Sequence, residues 1–144
     1  MLSNTCKYAV RAVIYLAYNE DKGKNIGIKQ ISEDLEIPMP FLGKILQILA
    51  KQKLLISTKG PNGGFKLAND AHKINLLDIV RVIDGKDLFE DCLIGLKTCN
   101  EEDKPCPIHS KYAAIRSDLY NMFQKQSIGG LVEELKKGNL ELNL

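Results

Sequence analysis

No run of eighteen apolar residues occurs in this chain, so no helix in it is expected to cross a membrane. The opening Met1-Leu2-Ser3-Asn4-Thr5-Cys6-Lys7 lacks a secretory pattern, because Lys7 and Arg11 interrupt the apolar stretch that follows. A cytoplasmic protein is expected. Internal repeats and low-complexity tracts are missing too. So are a nucleophile motif, a glycine-rich phosphate loop and a pair of carboxylates set in an apolar frame, and an enzyme is therefore not expected. Acids are wholly absent from Ile37 to Asn69, a stretch that carries Lys44, Lys51, Lys53, Lys59 and Lys66. Cysteine is scarce at four residues, yet three of the four fall within fifteen positions.

What is present fits one domain, or a small domain with an appended element. The chain has 144 residues, of which 44% are hydrophobic, and a net charge of +2. The charge is unevenly spread. Against the acid-free stretch stands the segment from Asp84 to Asp103, with seven acids beside Lys86 and Lys97. A polyanion would be attracted to the first and repelled by the second.

Periodicity places the elements. Thr5 to Tyr18 is apolar nearly all round and reads as a buried helix opened by Ser3, Asn4 or Thr5. Ile28, Ile31 and Leu35 mark a short second helix. Ile37-Pro38-Met39-Pro40 then stops one helix and pre-sets the next, which runs to about Gln52. Phe41, Leu42, Ile45, Leu46 and Leu49 form its apolar arc. Pro40, Lys44, Gln47 and Lys51 line the opposite face. Two short helices, a tight connection and a basic outer stripe describe a helix-turn-helix.

A hairpin follows: a strand from Leu54 to Lys59, a turn Gly60-Pro61-Asn62-Gly63-Gly64, and a returning strand Phe65-Lys66-Leu67-Ala68. A hairpin directly after a helix-turn-helix is a wing, and its tip would offer Lys59 and backbone N–H groups to phosphates and a narrow minor groove. Asn75-Leu76-Leu77-Asp78 reads as a capping box opening a helix that ends at Gly85. His72, in the turn before it, is expected on the surface. Beyond the cysteines, Ile108, Tyr112, Ile115, Leu119 and Met122 alternate at spacings of four and three, a seam suited either to a partner helix or to the chain's own core. A last short helix carries Ile128, Leu131, Val132 and Leu135.

The cysteines read Cys92-x6-Cys99-x6-Cys106-x2-His109 in a polar, loop-like segment. In a reducing compartment such a cluster is metal-binding or redox-active rather than a disulfide framework. Three readings are open. An iron–sulfur cluster, of 2Fe–2S or 4Fe–4S type, suits three thiolates and one variable ligand. Zinc suits three cysteines and a histidine, although its structural sites usually have shorter spacings. A metal-free thiol switch is the third.

Several motifs together resemble the Rrf-two family of bacterial winged-helix regulators. They are Tyr8-Ala9-Val10-Arg11, Ile37-Pro38, Ser57-x-Lys59-Gly60-Pro61-x-Gly63-Gly64-Phe65-x-Leu67-Ala68, Leu77-Asp78-Ile79-Val80 with Asp84-Gly85, and Cys106-Pro107-Ile108-His109. The resemblance implies a homodimer joined through the long helix, and an operator read by the third helix in the major groove and the wing in the minor groove. It implies that the three loop cysteines hold an iron–sulfur cluster in cluster-binding members. The chain departs from the pattern where relatives often carry Arg (here Lys59), Tyr (here Phe41), and Glu and Gln (here Gly43 and Lys44). Both cysteine intervals are six where five is common.

The expected fold is mainly α: a winged helix-turn-helix with a two-stranded wing and a long C-terminal dimerisation helix. It divides into a DNA-binding unit over 1–85, a cysteine-containing sensor loop over 86–107 and a helical dimerisation segment over 108–144. Lys44 and Gln47, beside Pro40, are the candidates for base edges. Ser57, Lys59 and the Gly60, Pro61, Gly63 and Gly64 backbone are those for the minor groove, and Lys29, Gln30, Lys51 and Lys66 those for phosphates. The expected partner is a double-stranded, roughly palindromic operator, with half-sites about 34 Å apart or a multiple of it.

Overall fold

The computed structural model describes residues 1–21, 23–96 and 106–138. Its elements in chain order are α1 (Asn4–Tyr18), α2 (Ile28–Leu35), α3 (Met39–Lys51), β1 (Leu55–Thr58), β2 (Gly64–Leu67), a 3-10 turn (Ala71–Lys73), α4 (Leu76–Ile83), α5 (Asp87–Glu90), α6 (His109–Lys125) and α7 (Ile128–Gly138). This is the expected, mainly helical winged helix-turn-helix with a two-stranded wing.

Local chemistry explains most boundaries. Ser3 caps α1 by accepting from the Cys6 amide. Pro38 and Pro40 stand at the start of α3, where a missing N–H costs nothing. Asn75 and Asp78 form the reciprocal capping box of α4. Two helix ends use the left-handed conformation without glycine: Glu36 after α2 at φ 53° and Lys53 after α3 at φ 61°.

The main core gathers Ala9, Val13 and Leu16 of α1, Ile31 and Leu35 of α2, and Leu42, Ile45, Leu46 and Leu49 of α3. Apart from Ala9, each of these side chains is a large aliphatic group that is fully or almost fully buried, which stabilises the fold by about 1.5–3 kcal/mol apiece. α7 folds back on α1 and the 3-10 turn and adds Ile128 and Val132 to this core. A second, smaller core joins Cys6, Leu77, Val80 and Phe123, with Leu88, Phe89, Leu119 and Tyr120 packed against it.

Two expectations need correcting. Phe41 reads as part of the inner arc of the third helix; it is 39% exposed. At about 100° per residue it lies at the edge of the buried arc rather than within it. The long-helix seam divides. Leu119 packs inward, whereas Ile115 and Met122 are 65% and 53% exposed. The residues that bury α6 are Phe123 and Tyr120, which fall outside the seam. His72 is exposed, as expected. Its imidazole lies so close to Gly129 that a Cβ there would meet the ring at 2.6 Å, and its Nε2 is 3.1 Å from a Glu133 carboxylate oxygen.

The wing has a third contributor. β1 and β2 pair antiparallel, with Leu55 opposite Leu67 and Thr58 opposite Gly64. On the other side of β2, Ile26 and Phe65 exchange both backbone hydrogen bonds at 2.9 Å. The wing is thereby clamped to the start of α2. Gly64 is required at this clamp: its φ is +137°, and a Cβ there would meet the Ile26 carbonyl oxygen at 2.3 Å.

Candidate nucleic-acid interface and metal centre

The outer face of α3 is built as its spacing predicts. Pro40, Lys44, Gln47 and Lys51 are all exposed on it. Beside it runs an open groove of about 570 Å³ between the start of α2, α3 and the wing. Lys29, Gln47, Ser57 and Lys59 line it together with Gly60, Pro61, Gly63 and Gly64. Residues 30 positions apart in the chain thus converge on one surface, and no acid lies among the lining residues. Glycine at 43 keeps the groove open and brings α2 close, since a Cβ there would already meet Ile28 Cδ1 at 3.2 Å.

Not every candidate is brought to this groove. Lys44 and Lys51 lie on the exposed face of α3 but not among the groove lining. Lys66 is half-buried, and its ammonium donates to the Gly23 carbonyl at 3.3 Å. The Gln30 amide donates to the Tyr15 hydroxyl at 3.4 Å, and that hydroxyl donates to Asp34. Burial first, then the Asp34 contact, pushes the Tyr15 phenol up to about 12. Two contributors escaped the sequence reading. Asn25 donates to the Asn62 carbonyl at the wing tip, 3.2 Å away, and α2 begins at Gly27 without any side-chain cap. Pairing of a lone residue such as Ile26 leaves no periodicity to detect.

The cysteine site lies where α4 and α5 give way to α6. Cys92 Sγ stands 3.5 Å from Cys106 Sγ, too far for a disulfide bond. Two thiolates bound to one tetrahedral metal at about 2.3 Å each would lie roughly 3.8 Å apart, so this pair fits a shared soft metal atom. The Gly95 amide donates to Cys92 Sγ at 3.2 Å, a contact that favours negative charge on sulfur. His109 opens α6. Among the described residues no three histidine, cysteine or acidic side chains converge closely enough to hold a metal ion. Cys99, the middle sulfur of the motif, lies outside the described residues.

Cys6 is separate from this chemistry. It is fully buried, and burial together with the neighbouring Asp84 carboxylate pushes its thiol up to about 12. Asp84 also accepts from the Ser3 amide at 2.9 Å and from the Ser3 hydroxyl, tying the start of α1 to the end of α4.

α5 and α6 form an arm beside the head, which is made of α1–α4 and the wing. Within the arm, Phe89 of α5 meets Tyr120 and Phe123 edge-on at 5.4 and 5.8 Å, and Arg116 donates to the Asp91 carbonyl at 2.8 Å. Arg81 of α4 fastens the arm to the head by donating to the Tyr120 hydroxyl at 2.9 Å. At its other end α6 is strapped to the beginning of α4: Leu76 N–H donates to the Gln126 carbonyl at 3.0 Å and Ile128 N–H to the Ile74 carbonyl at 2.8 Å. No helix among the described residues is long and apolar enough to cross a membrane.

Known proteins are similar to this chain. A family described as Rrf2, iron-dependent transcriptional regulator, matches residues 2–134. An Aquifex aeolicus (strain VF5) protein named as an HTH-type transcriptional regulator is 35% identical over 133 residues, covering 92% of this chain and 91% of that protein. The HTH-type transcriptional regulator IscR of Escherichia coli O1:K1 is 28% identical over 131 residues, covering 91% of this chain and 79% of IscR. Among solved structures, CymR, the global cysteine regulator of B. subtilis, superposes with a TM-score of 0.76 at 20% identity, over 92% of this chain and 96% of CymR. That last likeness speaks for the fold alone; the sequence matches go further, and the chain belongs to the Rrf2 family of transcriptional regulators.

Proposed function

We propose that this regulator works as a homodimer on a roughly palindromic operator, and that an iron–sulfur cluster held by Cys92, Cys99, Cys106 and His109 sets how tightly it binds. One observation carries the reading: two sulfurs 14 residues apart stand 3.5 Å from each other at the joint between α5 and α6. Zinc would suit the same distance. The family's description as iron-dependent favours iron.

When bound, such a cluster supplies a redox- and ligand-sensitive centre whose presence ties its ligands together. The chain's own residues do the rest. Cys92 follows α5 and Cys106 precedes α6, so the site closes the open end of the α4–α6 pair, whose other end is already strapped by backbone hydrogen bonds. α4 packs on α1 and α3. A change in how Cys92 and Cys106 are held is therefore delivered to the recognition helix instead of being lost in a free loop. Linkage requires that a state gripping DNA more tightly also holds the cluster more tightly on DNA.

A second copy would cover Ile115 and Met122 and set two heads side by side, about 34 Å apart or a multiple of it. In each head Lys44 and Gln47 would read base edges. Ser57, Lys59 and the Gly60–Gly64 backbone would enter the minor groove, and Lys29, Gln30, Lys51 and Lys66 would meet phosphates.

The test is anaerobic purification with iron, sulfide and zinc assayed, followed by operator affinity before and after removal or oxidation of the centre. The expected change is about five- to a hundred-fold, the size of ordinary allosteric coupling. Equal affinity in all states would overturn control by the site, and stoichiometric zinc would replace iron in it. Lys59→Ala should weaken binding and lower the salt slope by about one; an unchanged slope would mean that the wing does not touch DNA.

A further inference from the structure

The recognition helix has two unlike borders. On the side of the wing, Gly43 has no side chain and the groove lies open. On the side of α1, Phe41 and Ile48 stand exposed at 39% and 43%. Phe41 is held by Tyr8 of α1, ring edge against ring face at 5.7 Å with the planes 86° apart. The Arg11 guanidinium lies 5.9 Å from the Tyr8 ring centre. This stack fixes the direction of the Phe41 ring at the first turns of α3, one helical turn before Lys44.

A phenylalanine left at the surface exposes apolar area and offers no hydrogen bond. At the N-terminal part of a recognition helix, where base edges are reached, there is one apolar group for it to meet: the 5-methyl of thymine, which marks T·A in the major groove and which Phe is suited to contact. A lysine one turn on suits the O6 and N7 acceptors of guanine. Ile48 is two turns further along α3, in the part of a recognition helix that usually meets the backbone rather than bases.

We propose that Phe41 is a specificity-determining residue that reads a thymine 5-methyl in each half-site, positioned by Tyr8. The inference rests on operator binding through α3 as set out above. It adds thymine to what α3 reads, because Lys44 and Gln47 recognise hydrogen-bonding edges and the phosphate contacts are blind to sequence.

The experiment selects tight-binding duplexes from a random pool with the full-length protein. Each thymine of a half-site is then replaced singly by deoxyuridine, which removes only the methyl. The wild type should lose about three- to five-fold affinity at one position per half-site, the scale of one buried methyl group. Phe41→Ala and Phe41→Gln should bind thymine and uracil duplexes equally there, with the salt slope of the wild type, since no charge is removed. Ile48→Ala should keep the full methyl dependence. Melting curves for the Phe41 variants guard against loss of fold, and the glutamine variant supplies a side chain of similar reach.

Tight binding without any uracil effect, or a methyl dependence that survives in both Phe41 variants, would overturn the inference while leaving operator binding intact. Loss of the dependence in Ile48→Ala alone would assign it to the wrong border. If no duplex is enriched at all, the operator-binding reading fails and this inference with it.

Discussion

The head and the arm of this molecule are built on different terms. In the head, α1, α2 and α3 each bury a complete apolar face against one another, and the wing is clamped from both sides. In the arm, the 17-residue α6 buries only Phe123 fully, while Leu93, Ile94, Ile115 and Met122 stay exposed. The head closes on itself and presents lysines. The arm is fastened by a few aromatic and backbone contacts and leaves apolar side chains exposed and Cys92 and Cys106 only half-buried. A DNA-reading unit must hold its side chains rigidly, whereas a responsive element has to keep part of its surface for a partner or a metal.

The sharpest way to break this contrast is in the head. Gly64→Ala drives a Cβ into the Ile26 carbonyl at a φ that L side chains rarely adopt. We expect a loss of about 3 kcal/mol in urea unfolding, with operator binding lost alongside. A variant as stable as the wild type would show that the clamp is not needed.

The matching change in the arm is Ile115→Asp. It should leave the melting of the head within about 0.5 kcal/mol, because a surface substitution removes no core contact. It should weaken self-association by an order of magnitude or more in sedimentation. A fall in monomer stability instead would mean that α6 packs inward along its seam.

Where head and arm meet, the buried Cys6 beside Asp84 gives a pH signature. Its thiol is raised from the ordinary value of 9.0 to about 12, so the folded state keeps a proton that the unfolded chain releases. Stability is therefore full below pH 9 and declines as pH rises towards 12, by about 1.4 kcal/mol per unit at most. Tyr15, raised from 10.0 to about 12, adds to the decline only above pH 10. Denaturant midpoints between pH 9 and 10 should fall in the wild type and stay flatter in Cys6→Ala. Equal slopes would remove Cys6 as the cause.

The smallest effect is a gain. Lys53 ends α3 at φ 61°, where glycine is at ease. Lys53→Gly should raise stability by about 0.5–1 kcal/mol. It should leave DNA affinity nearly unchanged, which separates the head's stability from its grip.

Much of this was legible along the chain. Helix starts followed from Ser3, Pro38 with Pro40, and Asn75 with Asp78, because caps act within one turn. The recognition stripe followed from the spacing of Lys44, Gln47 and Lys51, and the wing from its glycine-rich turn. The cysteine spacing marked Cys92 and Cys106 as a pair to look for, and the fold brings their sulfurs to 3.5 Å. The borders were harder. Phe41 and Leu42 are both apolar neighbours on one helix, and only the direction from which α1 arrives leaves the first exposed. Ile115 and Leu119 share a seam, and only the position of α4 separates them. Lys66 reads as a free cation along the chain, and only the fold shows its ammonium donating to the Gly23 carbonyl.

The sequence alone settled most of the helical segments, which residues are cationic and which carry sulfur, since these depend on interactions within a few residues; it did not show the four-residue α5 inside the expected cysteine loop. The tertiary structure decided which side chains share a surface: Lys29 with Lys59 around one groove, Cys92 with Cys106 at 3.5 Å, Ile26 with Phe65. Such pairings are chosen by the packing of whole elements, and no local pattern encodes the angle at which one helix meets another.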